Sequence, residues 1–246
     1  MTGRRAVVTG GGRGIGRAVA AALTARGCSV TVLGRDEAKL RETVAAGDAA
    51  ACRRVDVTDE AGLRQAIGEA GPVDILVGNA GIADSAPFAK TDLAFFRRLM
   101  AVNFESVVTA IHAVLPGMIE RGFGRIVSIA SIAGVKGYPY VTAYVASKHA
   151  VVGLTRALAQ ETAKTGVTVN AVCPGYVDSD LVTASVARVA KRTGRTAKDV
   201  LDALTGGNPQ GRLLRAAEVA SAVEWLASDG ASAVNGQAIL VSGGEA

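Results

Sequence analysis

Tyr144 and Lys148 stand at i and i+4 within a stretch of helical periodicity, Ala143–Thr165, so both side chains project from one helix face. A phenol with its ordinary pKa of about 10 is a poor acid–base catalyst at neutral pH. A neighbouring ammonium group favours the phenolate and draws that pKa towards the working range. The same spacing also arises when an exposed tyrosine sits beside a solvated lysine. Ser131 adds weight to the chemical reading, because it follows the apolar run Ile126–Ile129 at its carboxyl end, where the ligand of a doubly wound sheet lies. His112 and His149, the two histidines, fall in different helical stretches, which argues against a Ser-His-Asp hydrolase.

A second constellation would hold a ligand for that chemistry. Thr9-Gly10-Gly11-Gly12-Arg13-Gly14-Ile15-Gly16 follows the first apolar run and opens the first helical stretch. A helix amino terminus offers unpaired N–H groups and the positive end of its dipole, and glycines let a pyrophosphate approach the backbone. No Gly-Lys-Ser/Thr follows, so a P-loop is disfavoured; a purely structural turn is the other reading. The second apolar run ends Val32-Leu33-Gly34-Arg35-Asp36. In dinucleotide-binding folds an acidic residue there holds the adenosine ribose, whereas arginine suits a 2′-phosphate. Arg35 and Arg13 together point to NADPH over NADH, unless they merely face water and Asp36 serves a free ribose. Asp56-Val57, after a third strand, would meet the adenine, although Asp56 could equally cap a helix. Asn79-Ala80-Gly81 after the fourth strand would let the cofactor lie against the strand ends. An oxidised nicotinamide near Tyr144 would add to the pull on its phenol.

The elements that must position these residues are legible as alternating runs. Ala6–Val8, Val30–Leu33, Ile75–Val77, Ile126–Ile129, Val167–Val172 and Ala238–Val241 are short, β-branched and flanked by turn residues, as buried strands are. Between them lie helical stretches, Ile15–Ala25, Asp59–Ala70, Leu93–Glu120, Ala143–Thr165 and Ala217–Ala227. This alternation predicts an α/β fold, a single doubly wound parallel sheet with helices on both faces, in one domain over residues 1–246. It lapses from about 177 to 212, a polar segment with a helical middle, which is expected to be a lid over the substrate site or else a surface excursion.

A chain of 246 residues with 49% hydrophobic content is neither disordered nor low in complexity. The net charge of +5 comes from scattered basic residues without an aromatic-interleaved stripe, so no nucleic-acid partner is expected. Cys28, Cys52 and Cys173 are odd in number and far apart, which indicates neither disulfides nor a metal site and fits a reducing, cytoplasmic setting. The first apolar stretch is cut after Val8, too soon for a secretory signal, and no segment reaches the roughly 18 uninterrupted apolar residues of a membrane span.

Taken together, Thr9–Gly16, Asn79-Ala-Gly81, Asn103 in Ala-Val-Asn-Phe, Ser131, Tyr144-Val-Ala-Ser-Lys148, Asn170-Ala-Val-Cys-Pro-Gly175 and the closing Gly243-Gly244 resemble the short-chain dehydrogenase/reductase family nearly end to end. The 13-residue separation of Ser131 from Tyr144 is that family's usual one. Gly78 and Ser242 depart from its common residues without touching the chemistry. The resemblance implies a Rossmann-fold catalytic domain in which Tyr144 donates the proton during reduction, Ser131 polarises the carbonyl, Lys148 holds the nicotinamide ribose and Asn103 positions a relay water. It further implies that Pro174-Gly175 shapes the nicotinamide pocket, that Val177 and Ser179 meet the carboxamide, and that two helices pair across a homotetramer.

Closer similarity is to 3-oxoacyl thioester reductases and aromatic polyketide ketoreductases, across Gly117–Val127, Ala146–Gly153 and Thr168–Tyr176. The expected activity is therefore NADPH-dependent reduction of a 3-oxoacyl thioester, carried on acyl carrier protein or coenzyme A, or of a polyketide ketone. The alternatives are an NAD-dependent oxidation of a 3-hydroxyacyl-CoA or secondary alcohol, and a nucleotide sensor without turnover. Tyr138, Pro139, Tyr140 and Val141 are expected to line a fairly apolar substrate approach.

Overall fold

The computed structural model describes residues 1–245, excepting the side chains of Asp180 and Leu181. One seven-stranded sheet runs through it in the order β3-β2-β1-β4-β5-β6-β7, with every pairing parallel. The strands are β1 (Arg5–Thr9), β2 (Ser29–Gly34), β3 (Ala51–Arg54), β4 (Ile75–Gly78), β5 (Gly124–Ile129), β6 (Val167–Pro174) and β7 (Ala238–Val241). Every residue of β4, β5 and β6 is buried, as expected of central strands covered on both faces. The order reverses between β1 and β4, and the crevice at such a switch point is where open α/β sheets take their ligand.

Nine α-helices lie among the described residues: α1 (Gly14–Ala25), α2 (Glu37–Ala45), α3 (Glu60–Gly68), α4 (Leu93–Met100), α5 (Ser106–Glu120), α6 (Thr142–Thr162), α7 (Asp180–Thr193), α8 (Ala197–Thr205) and α9 (Ala216–Ala227). One core layer joins α1 and α9 to the sheet through Val19, Leu23, Val223 and Leu226. The opposite layer sets Leu63 and Ile67 of α3 with Ile111, Val114 and Met118 of α5 against Val7, Leu76 and Ile126.

Two elements carry no apolar run. β3 is an edge strand whose Arg53 and Arg54 face solvent, a composition that discourages pairing with a further strand. α2 buries only Leu40 and Thr43 and is started by its N-cap, Asp36, which accepts from the Lys39 N–H at 3.2 Å.

The periodic stretch Leu93–Glu120 is not one regular helix. A π-helical turn, Ala101–Glu105, separates α4 from α5 and places Asn103 fully inside. Length and hydropathy alone would let residues 93–120 cross a membrane, yet α5 buries Val107, Ala110, Ile111, Val114 and Met118 in the core of this sheet.

Candidate active site

The glycine turn closes tightly over the end of β1. Gly10 has a φ of 68° and Gly14 one of 53°, the left-handed region that favours glycine. A Cβ on Gly10 would come within 2.8 Å of Asn79 Nδ2, and one on Gly16 would collide with the Gly10 carbonyl. Thr9 Oγ1 accepts from the backbone N–H groups of Asn79 and Ala80, both at 3.0 Å. The Asn79 amide returns the contact, donating to the carbonyls of Thr9 at 2.8 Å and Gly10 at 3.2 Å. Asn79 thus staples the turn to the loop after β4, and Gly12, Arg13, Gly14 and Ile15 lie open to the crevice or partly so. This backbone cradle fits a pyrophosphate at the amino terminus of α1, because side chains are absent where one would approach.

At the carboxyl end of β2, Arg35 has its side chain 70% exposed and Nη1 3.8 Å from Asp56 Oδ2. Asp36 is committed to the α2 cap, so Arg35 is the residue of the pair that faces the pocket. That pocket, about 490 Å³, is lined by Arg35, Arg53, Arg54, Asp56 and residues of α3. Asp56 Oδ1 accepts from the Thr58 N–H at 3.0 Å and its hydroxyl at 2.8 Å, bonds that hold the carboxyl below its usual range. The α3 cap is Asp59, accepting from the Gly62 N–H, and not Asp56. Val57 is buried beside it.

Ser131, Tyr144, Lys148 and Asn103 converge at the carboxyl ends of β4 and β5. Ser131 follows β5 and caps a short 3₁₀ turn by accepting from the Ala133 N–H at 3.1 Å. Tyr144 and Lys148 share one face of α6, with the Lys148 ammonium 5.8 Å from the Tyr144 ring centre. Lys148 is buried and donates to the Ile129 carbonyl at 2.8 Å; burial draws its pKa down to about 8. Burial also raises the Tyr144 phenol above its ordinary value, opposed by a hydrogen bond with Ser131. The protein's own groups therefore do not produce the expected lowering by Lys148: desolvation of the phenolate wins while the ammonium is turned towards Ile129. Asn103 accepts from the Ile82 N–H at 2.8 Å and donates to the Ile82 carbonyl at 3.0 Å.

Pro174 ends β6, and the Gly175 N–H donates to the Val241 carbonyl at 2.9 Å. The Val177 side chain packs into the core, and its backbone carbonyl accepts from the Ser179 hydroxyl at 3.1 Å. Ser179 caps α7 and comes within 4.0 Å of where a Gly14 Cβ would stand, at the phosphate turn. The segment that starts here returns at Leu214, which pairs with Val177 in an isolated parallel bridge. Its helices α7 and α8 share a small apolar cluster of Val182, Val186 and Val200.

The loop expected to line the substrate approach carries a polar cluster as well as its apolar side chains. Tyr138 donates to Glu245 Oε1 at 2.6 Å, and Lys136 Nζ lies 3.8 Å from the same oxygen. Glu245 lies 107 residues from Tyr138 in the sequence and in no motif, so only the fold reveals it. Tyr140, at φ 67°, is the one described non-glycine residue in the left-handed region, and its carbonyl accepts from the Ala86 N–H at 2.8 Å.

Comparison with known proteins agrees with this geometry. The family model for short chain dehydrogenases matches residues 4–190. An acetoacetyl-CoA reductase of Rhizobium meliloti is 39% identical over 98% of both chains. A cis-4-hydroxycyclohexanecarboxylate dehydrogenase of Sinomonas cyclohexanicum is 41% identical over 98% of this chain and 96% of its own. The crystal structure of a single-substitution variant of actinorhodin polyketide ketoreductase with NADPH superposes with a TM-score of 0.94 at 36% identity, covering 99% of this chain and 98% of that one. A glycine cradle, a Ser131-Tyr144-Lys148 cluster and end-to-end kinship lead to one assignment: the chain belongs to the short-chain dehydrogenase/reductase family and is an NAD(P)-dependent oxidoreductase acting on CH–OH or C=O groups.

Proposed function

We propose that this enzyme reduces the ketone of a 3-oxoacyl thioester, on coenzyme A or acyl carrier protein, or of a related polyketide, with NADPH. The observation that carries the reading is the convergence of Ser131, Tyr144 and Lys148 at the strand ends, with the Lys148 ammonium 5.8 Å from the Tyr144 ring centre and the phenol raised above its ordinary pKa by burial. A protonated phenol beside a second hydroxyl is a proton donor poised for a carbonyl oxygen that gains negative charge. The reduced nicotinamide, when bound, supplies the hydride. Ser131 polarises the carbonyl, and Tyr144 gives up its proton to the oxygen. With the cofactor bound, Lys148 would turn its ammonium from the Ile129 carbonyl to the nicotinamide ribose hydroxyls, where it would also steady the phenolate left behind. Asn103, fixed to Ile82, positions a water that returns a proton from solvent. The preference for NADPH rests on Arg35 facing the adenosine pocket while Asp36 is held in the α2 cap, with Arg13 in the turn as the second guanidinium.

Residues 177–212 act in this reading as a lid, hinged where Val177 and Leu214 pair. The enzyme works in the cytoplasm as a homotetramer, with neither nucleic acid nor membrane as partner. The reverse reaction, oxidation of a secondary alcohol with NAD, draws support from the relative named as a hydroxycyclohexanecarboxylate dehydrogenase. A panel of 3-oxoacyl thioesters, cyclic ketones and the matching alcohols, run with both cofactors in both directions, decides between them. Thioester reduction that prefers NADPH is expected, and Tyr144→Phe should abolish it while NADPH still binds. Turnover confined to alcohols with NAD would overturn the proposal.

A further inference from the structure

We infer that Glu245 is a specificity-determining residue that biases the substrate cleft against carbonyl compounds bearing a free carboxylate. The inference rests on the proposed site and adds to it which substrates that site refuses. Glu245 is only 6% exposed and sits where three elements meet. The loop before α6 reaches it through Tyr138, whose hydroxyl donates to Oε1 at 2.6 Å. The proposed lid reaches it through Gly207, where a Cβ would stand 2.8 Å from Oε1. Its own backbone follows β7, beyond Gly243 and Gly244, whose lack of a Cβ lets Asn208 and Pro209 pack closely against the turn. Tyr138 stands six residues before Tyr144, in the loop that leads into α6, so the bond to Glu245 ties the carboxylate to the segment that delivers the proton donor.

The charge there is poorly compensated. Oε2 is buried and makes no hydrogen bond among the described residues. Lys136 is the one described cation paired with Glu245, at 3.8 Å, with its side chain 43% exposed to screening solvent. Tyr138 contributes no charge, since burial first and the carboxylate second push its phenol up and keep it protonated. Lys148 is turned to Ile129. A carboxylate in such surroundings repels a second anion brought into the same cleft more strongly than it would in water. A neutral ketone, or a thioester whose charges lie far down its carrier, meets no such opposition.

Glu245→Gln tests this, because the amide oxygen still accepts from Tyr138 while the charge is gone. The readout is the ratio of kcat/KM for two matched pairs: the neutral N-acetylcysteamine thioester of acetoacetate against acetoacetate, and cyclohexanone against 4-oxocyclohexanecarboxylate. The ratio should fall about tenfold in the variant, by relief for the acid and not by loss for the neutral partner, and the effect should shrink in high salt. Tyr138→Phe, which strips the carboxylate of its donor, should move the ratio the other way. An unchanged ratio, or equal losses on both members of a pair, would overturn the role of Glu245 and leave the proposed reaction standing. Turnover of the cyclic pair alone would overturn the thioester reading while still deciding this one, and turnover of neither pair would sink both.

Discussion

The Asn103 amide donates to Ser147 Oγ at 3.0 Å, and that hydroxyl donates on to the Tyr144 carbonyl at 2.8 Å. Both side chains are fully buried, so the π-helical turn after α4 is tied to the helix that carries Tyr144 and Lys148. Ser147→Ala leaves an Asn103 N–H without that acceptor, at a cost of about 1–3 kcal/mol in stability by urea unfolding. Because the bond sets the relative placement of two elements of the site, kcat should fall about tenfold while NADPH affinity changes little. A variant with wild-type kcat and lowered stability would reduce Ser147 to a packing role.

Arg35 can turn to a phosphate because Asp36, its acidic neighbour, is held by the α2 backbone. Arg35→Ala removes one charge-assisted partner, commonly about 1.5–3 kcal/mol, and should raise the KM for NADPH about 10–100-fold. The kcat/KM with NADH should stay within about twofold, since a free ribose makes no use of the guanidinium. Equal losses with both cofactors would show that Arg35 supports the fold of the pocket and does not read the phosphate.

Much of this architecture is legible in the sequence, for physical reasons that also explain what is not. β4, β5 and β6 are buried on both faces and must be apolar throughout, and the glycine turn needs residues without side chains. β3 and α2 lie at a wetted edge and have little to bury, so no periodicity marks them. Without α2 the sequence favours Arg35 but leaves Asp36 as an alternative; with it, Asp36 is recognisable as a helix cap. The break in residues 93–120 is invisible because apolar periodicity continues through it. What causes it is tertiary, the capture of the Asn103 amide by the Ile82 backbone. Asn79 is legible as a residue near the cofactor, but not as the staple that closes the turn on Thr9. Glu245 left no local signal, since its partners are distant in sequence and it follows two glycines in no motif.

Lys148 lowers the stability of the fold for the sake of the site. Its pKa, drawn down by burial to about 8, lies below the value of about 10.4 expected in the unfolded chain. Between those values the unfolded chain binds more protons, so stability rises with pH through this window, and below about pH 8 the full penalty remains. The shift corresponds to about 3 kcal/mol, at order-of-magnitude level. Lys148→Met should therefore be more stable than the wild type at pH 7 without cofactor, and the difference should shrink as pH rises from 8 to about 10.4. Urea titrations at about pH 7, 9 and 10.3 measure it; a pH-independent difference would show that packing, not charge burial, separates the two proteins.

Asp84 fastens α7 to the far side of the cleft. It accepts from Arg188 of α7 at 3.0 Å and from Arg98 of α4 at 2.8 Å, while Arg192 donates to the Ser85 carbonyl at 3.3 Å. Burial pushes the Asp84 carboxyl up, but the Arg98 bond, the Ser85 N–H and the two arginine charges outweigh it and hold the group below its usual range. Exposed pairs of this kind are worth about 0.2–1 kcal/mol each, enough to shift a hinged segment and too little to unfold a domain. Asp84→Ala should thus raise the rate of tryptic cleavage within residues 188–195 about two- to fivefold, leave Tm within about 2 °C, and raise the KM for the carbonyl substrate more than that for NADPH. In the wild type, NADPH with substrate should suppress the same cleavage, because the segment must close over them to exclude water. Equal cleavage with and without ligands would reduce residues 177–212 to a surface excursion, and the Asp84 contacts to ornament on it.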